Sequence, residues 1–188
     1  MLQYGLRLGE ESGSQARATG RDGHRQHARE LISQRDVSAT WQPSPMSLTM
    51  SEHERQEFLA GVHVGVISIE RADGPPLTVP IWYGYQLGGL VWIITGAESL
   101  KGRLLNAARR FSLCAQTEEP PFYKYVSVEG PIVDVAPVEL EADRRPLARR
   151  YFGPELGDAY VASTDEEGSL KFSMRPTRWW SVDYTKLS

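Results

Sequence analysis

Hydroxyl and cationic side chains gather in one short segment of the chain, between an aromatic-rich strand pattern and a helix pattern. Thr95, Ser99, Lys101 and Arg103 lie there together with Gly96. A hydroxyl or a cation can bind a phosphate oxygen, and the N–H groups at a helix N-terminus favour an anion. The segment is therefore a candidate phosphate site. The alternative is an ordinary strand-to-helix connection whose lysine and arginine are solvated.

Residues for hydrolytic or metal chemistry are scarce. Of four histidines, only His53 and His63 follow residue 45, and no G-x-S-x-G or H-E-x-x-H motif accompanies them. Cys114 is the single cysteine, which excludes an intrachain disulfide and a multi-cysteine zinc site. We expect no metal site and assign no catalytic residue. Tyr123 and Tyr125 are the best candidates for proton donors.

The composition indicates a soluble globular protein. The 188 residues are 40% hydrophobic and 24% charged, with a formal charge of −3. This charge gives no general attraction to nucleic acid, and the apolar runs are far shorter than the roughly 20 residues needed to span a bilayer. No G-x-G-x-x-G follows a strand pattern, which argues against a nicotinamide-binding Rossmann domain. We expect a cytoplasmic protein without nucleic-acid or membrane partners.

Residues 1–45 differ from the rest of the chain. They contain six arginines, no lysine and five acidic residues, and they show no apolar periodicity. Such a segment buries too little apolar surface to offset its ordering entropy, so we predict a disordered extension before a single domain over residues 46–188. The alternative is that translation begins at Met46 or Met50.

The domain shows strand patterns with one inserted helix and flanking helices. Ser51 and Glu54 form a capping-box pattern for a first helix that ends at Gly61. The sequence predicts a mainly β protein with α elements, an antiparallel six-stranded split β-barrel. We expect a bulge at Gly130–Pro131 and an interruption of the last strand at Pro176. The predicted strands cover residues 62–69, 77–86, 90–95, 111–117, 123–135 and 170–184, and the later helices residues 99–110, 138–150 and 154–162.

Aromatic side chains are concentrated on these strands, and one face of the sheet could hold a flat ring. The alternative is that they only pack the core or a subunit interface. A bound cofactor would supply the chemistry that the side chains lack. The aromatic residues concerned are Trp82, Tyr83, Tyr85, Trp92, Tyr123, Tyr125, Trp179 and Trp180.

The order of these motifs resembles a known family. The run T-V-P-I-W-Y, a hairpin, V-W-I-I-T, G-A-E-S-L-K-G-R-L-L-N, V-S-V-E-G-P-I and F-S-M-R-P-T-R-W-W is similar to the flavin- and deazaflavin-binding split-barrel oxidoreductases. These form the pyridoxamine 5′-phosphate oxidase-like superfamily. The resemblance covers roughly residues 50 to 186.

The resemblance implies a homodimer with two cofactor sites at the subunit interface. Thr95, Gly96, Ser99 and Lys101 would hold the cofactor's phosphate, with Arg103 nearby. The ring would lie along strand two, and residues of the later strands would close the site. The ring-side candidates are Val79, Pro80, Ile81, Trp82, Tyr125, Trp179 and Trp180.

The resemblance leaves two cofactors open, coenzyme F420 and FMN. The pyridoxal-forming oxidases carry a basic R-x-V-x-L-K strand, whereas this chain has T-V-P-I-W-Y without a cation. This departure favours F420 and argues against pyridoxamine phosphate as substrate. The expected activity is hydride transfer between the cofactor and a small organic substrate. The alternative is a non-catalytic carrier or sensor of a flavin, deazaflavin or haem-related ligand.

Overall fold

A computed structural model describes residues 47–120, 122–164 and 167–187. The predicted extension over residues 1–45 lies outside the described residues. The first helix, α1, spans Glu52–Ala60. The capping box is confirmed: Ser51 N–H donates to the Glu54 carboxylate at 2.6 Å, and Glu54 N–H donates to the Ser51 hydroxyl at 3.3 Å. Gly61 ends the helix, as predicted.

The remaining described elements are eight strands, three further helices and two short helical turns. The strands are β1 Gly65–Ile69, β2 Leu77–Ile81, β3 Tyr83–Gly84, β4 Val91–Gly96, β5 Arg110–Gln116, β6 Lys124–Pro137, β7 Ser169–Met174 and β8 Arg178–Asp183. The helices are α2 Leu100–Ala108, α3 Arg145–Phe152 and α4 Pro154–Ser163. A π-helical turn over Leu140–Arg144 precedes α3, and a 3-10 turn over Tyr184–Leu187 follows β8.

The strands form one antiparallel sheet that closes on itself. Its order is β2-β1-β5-β6-β7-β4-β3, and β8 pairs with β6 beside this path. The two ends of the path, β2 and β3, are consecutive in sequence and are separated only by Trp82. The sheet therefore begins and ends in the same stretch of chain, which is how a barrel closes.

The mainly β character is confirmed, but the count of six strands is wrong. The described residues form eight strands, because two predicted strands are each divided. The second changes partner at Trp82, from β1 to β4, and the last is broken around Pro176, so that β7 pairs with β4 and β6 whereas β8 pairs with β6. The predicted bulge also lies later, between Ile132 and Asp134.

Alternating residues of the strands fill the barrel. On β5, Phe111, Leu113 and Ala115 are buried while their neighbours reach the surface. Because successive side chains of a strand point to opposite faces, the same alternation leaves an outer face on each strand. Other fully buried members of this core are Leu59, Ile67, Tyr83, Ile93, Leu105, Val126, Val128, Phe172 and Met174. None of the helices in the described residues is long and apolar enough to span a membrane.

Candidate functional site

The hairpin of β3 and β4 opens after two residue pairs. Tyr83 pairs with Ile93 and Gly84 with Trp92, but beyond Trp82 the strands diverge. From that point β2 pairs with β1, while β4 pairs with β7. The ring-side residues 79–82 and the polar segment 95–101 therefore flank the place where the hairpin opens. We call this place the hairpin opening.

Ser99 organises the polar side of the hairpin opening. It caps α2, accepting from the Gly102 N–H at 3.0 Å, and its hydroxyl donates to the Gly96 carbonyl at 2.7 Å. The Thr95 hydroxyl, which is almost buried, lies 3.2 Å from the Ser99 hydroxyl. Within the described residues, no side chain caps the N–H groups of Leu100 and Lys101 in the first turn. The segment thus joins two hydroxyls to uncapped helix donors.

Gly102 allows α2 to begin this close to the end of β4. A Cβ at this position would lie 2.3 Å from the Gly96 carbonyl oxygen and 2.7 Å from that of Ala97. Both distances are far below van der Waals contact, and both neighbours are backbone atoms that cannot rotate away. The tight connection between strand and helix therefore requires glycine here.

Lys101 is the cation of this segment that has no partner among the described residues. Its side chain is half-buried and forms no ion pair or hydrogen bond within the described part of the chain. Burial lowers its pKa, because desolvation disfavours the charged form. Arg103 differs, since its guanidinium donates to the Glu98 carbonyl and is exposed. The predicted phosphate residues Thr95, Gly96 and Ser99 thus lie together, and Lys101 is the cation left to face an anion.

Trp82 lies within an aromatic cluster that the sequence reasoning missed. Its indole stacks on Tyr151, with ring centroids 4.9 Å apart, and meets the edges of Phe152 and Tyr160 at 4.8 and 5.6 Å. These partners come from α3 and α4. The available signal was the presence of three aromatic residues in and between two adjacent helix patterns. The cluster fixes the residue at which the chain passes from β2 to β3.

The Tyr151 hydroxyl also bridges this break in the sheet. It accepts from the Tyr83 N–H at 3.0 Å and lies 2.9 Å from the His63 carbonyl and 3.2 Å from the Tyr83 carbonyl, to which it can donate. A side chain therefore satisfies backbone groups where the sheet ladder is interrupted. The pKa of Tyr151 is raised by burial, which keeps the hydroxyl neutral and able to donate.

The other ring-side candidates divide between the two faces of the sheet. Val79, Ile81 and Trp179 pack against the core, and Trp179 lies edge-on to Tyr85 at 6.1 Å. Trp180 is 49% exposed. The two tryptophans, which are adjacent on β8, therefore lie on opposite faces of the sheet.

The outer-face candidates share one row of the sheet with other partly exposed side chains. The row is defined by residues that pair from β2 across β1, β5 and β6 to β8. Tyr125 is not in the row but lies on the same face, opposite Val182. We call this the outer row. Its members are Pro80, Val66, Cys114, Ser127 and Trp180.

The described residues contain no cluster of His, Cys, Asp or Glu that could hold a metal ion. The site consists of a polar segment with a lysine that has no partner among the described residues, an opening in a hairpin, and an outer face with aromatic and apolar side chains. Such a combination suits an elongated ligand with an anionic end and a flat apolar end.

No protein-family model matches the chain, and no curated protein matches it. Solved structures match most of it. The conserved hypothetical protein Rv2991 of Mycobacterium tuberculosis superposes with a TM-score of 0.64 at 23% identity, covering 78% of this chain and 92% of that one. The structure of an F420 reductase gives 0.56 at 23% identity, over 66% and 94% of the two chains.

A third match is the FAD and heme binding protein of Mycobacterium smegmatis, with a TM-score of 0.54, 19% identity and 72% coverage of each chain. The similarity inferred from the order of motifs is thereby confirmed at the level of the fold. The chain therefore has a split-barrel fold, as the order of motifs predicted, and shares this fold with these solved structures.

Proposed function

We propose that this protein is a cytoplasmic oxidoreductase that binds coenzyme F420, with FMN as the second choice, and transfers a hydride between the cofactor ring and a small organic substrate. The observation that carries the proposal is Lys101. A half-buried ammonium with a lowered pKa and no partner in the described residues is costly unless an anion joins it. F420 and FMN both carry a phosphate on a polyol chain.

The remaining residues of the hairpin opening fit such a ligand. Thr95 and Ser99 present hydroxyls, and the start of α2 adds N–H donors and a favourable dipole for the phosphate. Pro80, on the outer row, and the backbone of residues 79–82 would line the ring, whereas the side chains of Val79 and Ile81 support this strand from the core. When bound, the cofactor supplies the hydride chemistry, and the chain's own residues bind it, orient it and exclude water.

We also propose that the protein is a homodimer. The outer row runs from Pro80 to Trp180, which is 49% exposed, and Tyr125 lies on the same face. A second copy related by a two-fold axis would cover this face with the same patch. The ring site would then lie against the partner subunit, as in the family that the sequence resembles.

The experiment is a titration of the purified protein with F420 and, separately, with FMN, followed by absorption and by cofactor fluorescence. We expect submicromolar to micromolar binding of one cofactor. Lys101→Ala should weaken that binding by roughly ten- to a hundredfold, since a charge-assisted contact contributes about 1.5–3 kcal/mol. Lys101→Arg should retain most of the affinity.

Lys186→Ala is the charge-matched control. Lys186 pairs at 2.9 Å with Glu54 of α1, and neither residue belongs to the polar segment. The cofactor affinity of Lys186→Ala should therefore equal that of wild type. Equal binding by wild type and Lys101→Ala would make Lys101 a solvated helix residue and would remove the phosphate site. Failure to bind either cofactor would contradict the proposed function itself.

A carrier or sensor is the second candidate, and the fold similarity to the FAD and heme binding protein of M. smegmatis favours keeping it. Binding and catalysis require the same pocket, so affinity alone does not separate the two. The separating measurement is reoxidation of the bound, reduced cofactor by a panel of quinones, nitroaromatics and enones. Faster turnover than for the free reduced cofactor supports an enzyme, and protection from reoxidation by every acceptor supports a carrier.

A further inference from the structure

A polar groove lies on the outer face of the sheet, apart from the residues assigned to the cofactor. Its volume is about 480 Å³, and it is formed by β1, β5, β6 and the start of β8. Ser68, Ser112, Glu129 and Arg178 stand next to one another across these four strands. We call it the arginine groove, because three arginines line it, namely Arg109, Arg110 and Arg178.

The charges of the arginine groove do not cancel. Arg110 pairs with Glu70 at 2.5 Å, and Arg178 pairs with Glu129 at 3.3 Å. Arg109 has no ion pair or side-chain hydrogen bond within the described part of the chain. Three guanidinium groups thus face two carboxylates, and the groove has one positive charge in excess. A carboxylate or phosphate would complete the set, because a guanidinium binds either with two parallel hydrogen bonds.

The backbone holds Arg109 in an unusual conformation. Its φ is 54°, in the left-handed region, where it ends α2, and its carbonyl accepts from the Ile132 N–H at 2.8 Å. A non-glycine residue seldom adopts this conformation unless its surroundings fix it. Hydrogen bonds to α2 and β6 therefore fix the backbone of Arg109 at the side of the groove.

The groove adjoins the proposed ring site. Ser68 and Arg178 are two residues along their strands from Val66 and Trp180 of the outer row. At about 3.4 Å per residue, the two rows are roughly 7 Å apart. A small molecule in the groove could therefore reach a ring bound on the outer row.

We propose that the substrate is an organic acid whose carboxylate or phosphate binds Arg109 in the arginine groove, next to the reacting ring. This assignment rests on the proposed function, because it takes the cofactor ring to lie along β2 and the outer row. The same acidic chemistry could belong to the cofactor's own tail, since F420 carries a carboxylate tail and FMN does not.

The first test is independent of any cofactor. The full-length protein is titrated with benzoate and, at the same concentrations, with benzamide, its neutral counterpart, and backbone amide shifts are followed by NMR. We expect benzoate to shift the amides of residues 109–112 and 129–130, and benzamide to leave them in place. Raising the ionic strength to about 0.3 M should weaken the binding.

Variants of Arg109 separate the effect of its charge from the effect of its backbone conformation. Arg109→Asn removes the charge at a φ that asparagine tolerates, and benzoate affinity should fall about fivefold or more. Arg109→Lys should keep most of the affinity. Arg149→Gln, on α3 and outside the groove, is the charge-matched control and should bind as wild type does. Equal binding of benzoate and benzamide, or equal binding by Arg109→Asn and wild type, would overturn the proposal.

The second test assigns the source of the acid. F420 and FMN dissociation constants are measured for wild type and Arg109→Asn. Unchanged values for both cofactors, with a raised KM for acidic acceptors only, support the substrate assignment. A selective loss of F420 affinity would show that the cofactor tail binds in the arginine groove, and it would overturn the substrate assignment. Benzoate binding in a protein that binds neither cofactor would remove the proposed function, and the substrate assignment with it.

Discussion

The indole of Trp82 stacks on the ring of Tyr151 with centroids 4.9 Å apart and planes inclined by only 7°. This contact joins the one residue between β2 and β3 to the helix α3. Because the Tyr151 hydroxyl also binds the Tyr83 N–H, the stack and the hydrogen bond act on adjacent residues of the strand. The geometry of the hairpin opening thus depends on a helix far along the chain.

Tyr151→Phe should keep the stack and remove the hydroxyl. The Tyr83 N–H then loses its acceptor, so we expect a destabilisation of about 1–3 kcal/mol. Equilibrium denaturation with urea gives the value. Tyr123→Phe is the matched control, because Tyr123 is 47% exposed, and it should change stability little. Equal stabilities for the two variants would show that the bridge at the break contributes nothing.

Gly102→Ala should disturb the start of α2. The added Cβ would lie 2.3 Å from the Gly96 carbonyl oxygen, so strand and helix must move apart, at a cost of about 1–3 kcal/mol. Cofactor affinity should fall as well, because Ser99 and Lys101 move with the helix. Asn106→Ala, at an exposed position of the same helix, is the control and should be neutral or slightly stabilising. A Gly102→Ala variant as stable as wild type would contradict the tight connection.

The capping box should make stability depend on acid pH. The pKa of Glu54 falls from 4.5 to about 2 in the folded protein, first because its carboxylate accepts from the Ser51 N–H and then because Lys186 donates to it. A depressed folded pKa stabilises the protein above pH 4.5, and that contribution is lost as the pH falls toward 2.

The measurement is the melting temperature of wild type and Glu54→Gln between pH 7 and pH 2.5. The difference between the two proteins should be largest near neutrality and should shrink below pH 4.5. Glu57→Gln, on the same helix but outside the capping box, gives the comparison. A constant difference between wild type and Glu54→Gln across this range would contradict the linkage.

Trp180→Arg should separate the proposed dimer. A charge on the outer row would have to be buried in the interface, whereas in a monomer the side chain stays exposed. We expect a wild-type interface above about 2,000 Å², as obligate dimers have, and a monomer for the variant in light scattering. Tyr184→Arg, at another exposed aromatic position outside the sheet, should leave the dimer intact. A wild-type monomer that binds cofactor tightly would remove the shared-site proposal.

Deletion of residues 1–45 should leave the melting temperature and cofactor affinity unchanged. The composition of this segment, with six arginines and no apolar periodicity, gives it little to contribute to a core. Differential scanning fluorimetry and a cofactor titration on the two proteins check this. A loss of several degrees, or of cofactor binding, would show that the segment takes part in the fold.

Local signals explain what the sequence predicted well. Ser51 and Glu54 are three residues apart, so the capping box is visible in the sequence, and period-two alternation marks each strand. Pro176 likewise marks a break in the last strand, because proline has no N–H to donate to a neighbouring strand. The inserted helix α2 follows from Ser99 and the leucines of its buried face.

Choices between distant partners explain what the sequence did not predict. No residue near Trp82 indicates that β2 pairs with β1 whereas β3 pairs with β4. The sequence therefore predicted one strand at a place where the structure has two. Tyr151 lies 68 residues beyond Tyr83, and no local pattern indicates their hydrogen bond. The arginine groove is also non-local, since Arg109 and Arg178 line one groove only because β5, β6 and β8 pair.

The pairing of β4 with β7 has a consequence for synthesis of the chain. β4 ends at Gly96, and its partner begins only at Ser169. Ribosomes add roughly 5–20 residues per second, so for several seconds the β3–β4 hairpin exposes a strand edge with no partner. Such edges pair readily with other chains. The nascent protein therefore passes through a period of aggregation risk, which ends only when β7 has left the ribosome and covered that edge.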